Sequence, residues 1–241
     1  MNRYYCGLFL IGLFSFSFMD CKNFNESETL VPSKVKSESK LNKLKSEQVI
    51  IAFIRDSKSF KGILLGIELI NNNWEITFDS IPCTFGKNGV ALNDQKIEGD
   101  KKTPSGTFQL GPAFGYKDNL GSKMNFIELS QTHYWVSDSK SKLYNRLIDY
   151  LPKGIYAEKM RRPDHLYKYG IIIEYNTSNV IKGKGSAIFI HIERNPGAPT
   201  TGCIAVSEEN IIQLIKWINP HKNSSITIDH LNNIPILKSI L

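Results

Sequence analysis

The sequence predicts a mostly β fold: one strand-dominated domain with a few peripheral helices. Short runs rich in Ile, Val, Phe and Tyr recur along the chain between Gly, Pro and Asn punctuation, the pattern of strands and turns. Only two segments carry helical spacing, and no internal repeat is visible. A chain of 241 residues, 41% hydrophobic and 11% aromatic, is long enough to bury one full core.

Taken in order, residues 1–20 read as a secretory signal. Arg3 supplies a positive start, and Leu8 to Phe18 is apolar but too short to span a bilayer as a stable helix. Cys21 follows directly and a polar tract comes after it, which resembles a bacterial lipoprotein signal with a degenerate lipobox. Asp20, just before the cysteine, departs from that pattern. Export to the cell envelope and a membrane tether through a lipidated Cys21 are the expectations. Residues 21–47 mix Lys, Ser, Glu and Asn with alternating charge, a composition that buries little apolar surface and suits a flexible tether.

Residues 48–241 form the expected folded domain. Val49 to Ile54 is a β-branched first strand. Gly62 to Ile70 and Trp74 to Phe78 are strands joined by Asn71-Asn72-Asn73, a hairpin turn because Asn tolerates the left-handed region. Thr107 to Leu110, Tyr134 to Val136, Gly170 to Tyr175 and Ala187 to Ile192 are further strands. Ser141 to Tyr150 is expected as one helix. The other begins after Ser207, whose hydroxyl can cap free amides. Glu208 and Glu209 favour its first turn, Ile211 to Ile218 supply a buried face, and Pro220 ends it.

Charge and cysteine usage narrow the function classes. Thirty Lys and Arg against 23 Asp and Glu leave a net charge of +7. The cations are dispersed, with no basic stripe interleaved with aromatics, so nucleic acid is not an expected partner. No CxxC or Cys/His cluster has zinc spacing, and no metal or organic cofactor is expected. Outside the signal and Cys21, the cysteines are Cys83 and Cys203. They are either one bridge or one buried thiol and one reactive thiol.

The chemistry-bearing segment runs from Ala187 to Val206. Along a strand Phe189 and His191 share one face, and Ile188, Ile190 and Ile192 share the other. A loop dense in turn formers leads to Gly202-Cys203. Such a return can set a thiol beside an imidazole that assists its ionisation, with the thiolate held as an ion pair. Gly202, lacking a Cβ, lets a carbonyl approach and lets the amides of Gly202 and Cys203 face a developing oxyanion.

Several ordered motifs resemble the YkuD-type L,D-transpeptidase catalytic domains. These carry a histidine, a loop and a Ser/Thr-His-Gly-Cys segment, matched by His191 and Thr200-Thr201-Gly202-Cys203. One branch also has Arg/Lys-x-Thr-Pro-x-Gly-x-Phe, matched by Lys101 to Phe108, and then Leu-Gly-x-Ala-Phe-Gly-Tyr, matched by Leu110 to Tyr116. Its Tyr-Asn pair is Tyr175-Asn176, and its Gly-Ser-Ala-Ile-Phe run is Gly185 to Phe189. The likeness extends from about Ile81 to Pro220. Thr201 stands where the wider family often has histidine, and Ala205 where it often has Asn or Arg.

The resemblance implies a β-sandwich or barrel-like domain acting on peptidoglycan stem peptides. Cys203 would be the nucleophile, holding the stem as a thioester, and His191 the base and later the acid. Tyr175, Asn176 and Thr201 would lie at the substrate site. Arg161 is a further candidate for the anionic groups of a stem, because guanidinium forks suit carboxylates. Transfer to an amine gives an L,D-transpeptidase. Transfer to water gives an L,D-carboxypeptidase or endopeptidase, and a non-catalytic envelope lipoprotein that binds cell-wall peptide is the reading from another class. The order His then Cys disfavours papain-like and NlpC-type hydrolases.

Overall fold

The computed structural model describes residues 45–240. The signal, Cys21 and nearly all of the expected tether lie outside the described residues. Its last residues are part of the fold. Ser46 is buried, and the Glu47 amide donates to the Lys222 carbonyl at 2.8 Å.

Twelve strands follow: β1 (Gln48–Ile54), β2 (Lys61–Ile70), β3 (Asn73–Thr84), β4 (Gly106–Gly115), β5 (Phe126–Glu128), β6 (Tyr134–Val136), β7 (Leu147–Ile148), β8 (Ala157–Lys159), β9 (Tyr169–Ile173), β10 (Phe189–Ile192), β11 (Ile204–Val206) and β12 (Ser225–His230). Helix α1 spans Glu208–Trp217 and a short α2 spans Leu237–Ile240. Nine strands form one mixed sheet in the order β12-β1-β2-β3-β11-β10-β9-β4-β5. A further β12–β4 pairing closes it, so the expected mostly β, barrel-like architecture is present and β5 hangs outside the ring. β7, β6 and β8 make a separate three-stranded sheet.

Side-chain alternation assigns the two faces. On β1, Ile50, Ala52 and Ile54 join the principal core, whereas Val49, Ile51 and Phe53 pack with Ile234, Ile236 and Leu237 at the C-terminal end. Both faces of β1 are thus dry, as its continuous β-branched run requires. On β10, Ile190 and Ile192 point into the principal core with Ile188. Phe189 points the other way, into a third cluster with Trp135, Met160, Leu166, Tyr167 and Cys203. This second face of β9–β10–β11 lies under the small sheet, and the site is there.

The hairpin turn is as expected: Asn71 and Asn72 have φ of 49° and 66°, the pair of left-handed residues that a two-residue turn matching the strand twist demands. Helix α1 is capped by Ser207, whose side chain accepts from the Asn210 amide, and Ile211, Leu214 and Ile215 are buried. Ser141 to Tyr150, however, is no helix. It is a turn leading into β7, because Asn145 adopts φ of 59° and turns its side chain inward to bond rather than continue a helix. The ladder strand β12, parallel to β1 and antiparallel to β4, is an element that periodicity alone did not single out.

Candidate functional site

The loop that delivers Cys203 is stitched to the rest of the barrel by threonines. The Thr84 hydroxyl donates to the Ala198 carbonyl at 2.8 Å, and the Thr200 amide donates to the Phe85 carbonyl at 2.9 Å. The Cys203 carbonyl receives two hydroxyls, Thr200 Oγ1 at 2.7 Å and Thr103 Oγ1 at 3.2 Å. Thr103 is fully buried and also accepts the Gly86 amide at 2.9 Å. A residue a hundred positions away in sequence therefore fixes the backbone of the thiol.

β10 and β11 run parallel with Ile190 opposite Ile204 and His191 opposite Ala205. Cys203 immediately precedes β11, so it projects from the face that carries Phe189 and His191, diagonally from the imidazole. Thr84 lies opposite Ala205, which puts the adjacent Cys83 on the other face. Both thiols are free and buried, Cys83 in the principal core and Cys203 in the cluster over β10. Burial pushes the Cys83 thiol well up, which makes it an inert packing group.

The Cys203 thiol donates to the Ala187 carbonyl at 3.2 Å, and the Phe189 amide faces the sulfur and favours its ionisation. Desolvation nevertheless pushes it up to about 12, and the charge of Glu158 adds to this. His191 Nδ1 lies 2.8 Å from the Ile192 carbonyl. A carbonyl can only accept, so Nδ1 carries the hydrogen and Nε2 is left with the free lone pair. The Tyr167 ring packs edge-on against the imidazole, 5.3 Å between centroids. Burial lowers His191 to about 4, so the ring is neutral at ordinary pH. With the thiol high and the imidazole low, the resting pair is neutral. Burial of both groups disfavours each charged form and so opposes the expected thiolate–imidazolium pair.

Cys203 opens onto a cleft of about 480 Å³ whose walls include Glu98, Tyr156, Glu158, Ser186, Thr201 and Gly202. A thiol at the wall of a cleft, with a fixed neutral imidazole on the same sheet face, is an arrangement for nucleophilic attack on a carbonyl. The model of the YkuD L,D-transpeptidase catalytic domain matches residues 68–228, about two thirds of the chain. The chain belongs to this family. No curated protein matches it. Among solved structures it is similar to the helical cell shape determining protein Pgp2 from Campylobacter jejuni, at 16% identity and a TM-score of 0.39. That match covers 82% of this chain and 56% of the other, so this chain spans little more than half the length of that protein.

Not every site residue expected from the L,D-transpeptidase resemblance reaches the cleft. Thr201 and Gly202 line it. Gly202, at φ of 153°, takes a conformation that side chains rarely adopt, but its amide donates to Thr200 Oγ1 at 3.1 Å. That amide, expected to face an oxyanion, is bonded to Thr200, and Gly202 shapes the turn. Arg161 lines a different cleft, with Glu128 to Gln131, and its Nη1 donates to the carbonyls of Tyr116 and Leu129 at 2.8 Å each. It ties backbone together instead of facing the thiol.

Tyr175 and Asn176 organise the loop before β10. The Tyr175 hydroxyl donates to the Lys184 carbonyl at 2.5 Å. Asn176, at φ of 55°, donates to the carbonyls of Ile181 and Gly185 and accepts the Ile181 amide. Asn145 completes this scaffold and was not singled out by sequence. It is buried and forms four bonds: it accepts Trp135 Nε1 at 2.8 Å and the Ala187 amide at 3.0 Å, and it donates to the carbonyls of Tyr175 and Asn176. It thereby holds Ala187 at φ of 55°, a strained setting for alanine, with its carbonyl on the thiol. The one trace of this in the sequence is an Asn in a stretch otherwise patterned as a helix.

Among the described residues no group of three or more His, Cys, Asp or Glu is placed to hold a metal, and no helix is long and apolar enough to cross a membrane.

Proposed function

We propose that this L,D-transpeptidase-family domain is an active cysteine acyltransferase on peptidoglycan stem peptides. One observation carries the reading: the Cys203 thiol opens onto a peptide-sized cleft and shares a sheet face with an imidazole whose Nδ1–H is fixed on the Ile192 carbonyl. A stem peptide entering the cleft presents an amide carbonyl to the sulfur. The thiol proton passes to His191 Nε2, the S–C bond forms, and the tetrahedral oxyanion collapses. The C–N bond then breaks, and the leaving amine takes the proton from His191. With the Gly202 amide held by Thr200, the Cys203 amide is the remaining backbone candidate for the oxyanion. The thioester is resolved by the amine of another stem to give a cross-link. Water in place of that amine makes the same enzyme an L,D-carboxypeptidase or endopeptidase.

Export to the cell envelope and a lipid anchor on Cys21 belong to the same proposal, since peptidoglycan lies outside the cytoplasm. An acylated Cys21 would hold the chain on a membrane, each buried methylene contributing about 0.8 kcal/mol. Detergent fractionation of native protein and Cys21→Ala tests the anchor: release of the variant supports it, and a processed variant that stays in the membrane fraction overturns it.

The activity is tested by incubating purified protein with muropeptides and identifying products by mass spectrometry. The native chain should change the stem profile and Cys203→Ala should leave it untouched. An unchanged profile with native protein, or processing by Cys203→Ala, overturns the reading.

A further inference from the structure

Glu158, on β8, is bonded into the packing around the thiol–imidazole pair. It lines the same cleft as Cys203. Its Oε1 accepts the Tyr167 hydroxyl at 2.7 Å and Arg162 Nη1 at 3.0 Å. Tyr167 in turn packs its ring edge-on to both Phe189 and His191. Arg162 is anchored by a two-pronged contact to Asp164. Glu158 Oε2, by contrast, has no hydrogen-bond partner among the described residues. The carboxylate is clamped by one oxygen and offers the other.

We propose that Glu158 reads an ammonium group in the Cys203 cleft. Its negative charge helps to keep the sulfur protonated. When the ammonium of an incoming stem peptide settles on the free oxygen, that charge is cancelled and the thiol can release its proton to His191. This rests on the proposed function, and it adds a selection rule: the nucleophile becomes reactive when the correct substrate is bound and stays quiet towards other electrophiles.

The charges around the sulfur fit this. Glu158 raises the thiol, while Lys96, from the segment between β3 and β4, and Arg162, from the turn after β8, lower it. Lys96 is paired with Asp100 at 2.7 Å, and Arg162 is shared between Asp164 at 2.6 Å and Glu158 itself at 3.0 Å, so it offsets Glu158 only in part. Around Glu158 itself, burial raises the carboxyl above its ordinary value, Tyr167 and Arg162 favour the carboxylate, and Asp164 and Glu98 oppose it.

Two measurements on the full chain test the idea. The first is the rate of Cys203 alkylation by iodoacetamide, a neutral probe, as a function of pH, in native protein and Glu158→Gln. Cancelling one nearby charge should lower the inflection by on the order of one pH unit, a roughly tenfold faster reaction at fixed pH below it. A merely structural role would slow the reaction or leave the inflection in place, and either result overturns the proposal. The second needs no variant: acyl-enzyme formation from a stem tetrapeptide with a free side-chain amine, against the same peptide acetylated on that amine. Native protein should prefer the free amine by about tenfold or more, and equal rates overturn the proposal. If neither peptide acylates the native chain, the proposed function fails, whereas the alkylation profile still reports on Glu158.

Discussion

His191 shows how burial sets chemistry. Its unfolded value lies near 6.5 and its folded value near 4. Between these limits the unfolded chain binds the extra proton, so stability rises with pH through the window and is lost as pH falls through it. The loss should reach about 3 kcal/mol at pH 4 relative to pH 7, and urea titrations of native protein and His191→Gln should show it in the native chain alone. Cys203, raised to about 12, works in the opposite sense and should erode stability only above about pH 9. Asn145→Ala removes four bonds and strands the Ala187 amide and Trp135 Nε1. It should cost roughly 3 kcal/mol, about 10 °C in melting temperature, and slow Cys203 alkylation as Ala187 relaxes. The placement of Cys203 and His191 on one sheet face could be read from the sequence, because strand, turn formers and Gly-Cys are contiguous. Asn145, Thr103 and Glu158 were not assigned their parts, because each acts across 42 to 100 residues of chain or through a neighbour. Nothing in the local sequence announces such a bond.

At the scale of elements, strands with continuous Ile and Val runs and the Asn-Asn turn could be read directly. The Ser207 cap could be read as well, because cap chemistry is local. Ser207→Ala should destabilise the domain by about 1 kcal/mol, a shift of a few degrees by thermal melting; an unchanged melting temperature would mean that α1 is held by packing alone. The helix expected over Ser141 to Tyr150 failed for a tertiary reason. Leu143, Leu147 and Leu151 are spaced as on a helix, but Tyr144 and Asn145 are drawn inward, the former donating to Glu98 at 2.5 Å. Satisfied buried polar groups outweighed a weak helical propensity. β12 was not singled out although Ser225 to Asp229 alternates polar and apolar residues, because the run is short and its identity comes from the strands on either side, β1 and β4.

For the whole molecule, closure of the sheet joins the two ends of the domain. β1 opens it and β12 seals it, with Val49 opposite Ser225 and Ile54 opposite His230. Removing residues 224–241 would expose edges of β1 and β4 together, and the truncated chain should fail to give a cooperative melting transition. The same closure places β10 and β11 side by side in the wall, so the barrel's interior face holds the fold together while its outer face carries the thiol and the imidazole. The central claim, that Cys203 is an acyl-accepting nucleophile, is tested most directly by intact-mass measurement after mixing with a stem tetrapeptide or a carbapenem, whose strained amide meets the same thiol. The native chain should gain one acyl group, and Cys203→Ala should gain none. An adduct that survives in Cys203→Ala, or a native chain that stays unmodified by both, would contradict it.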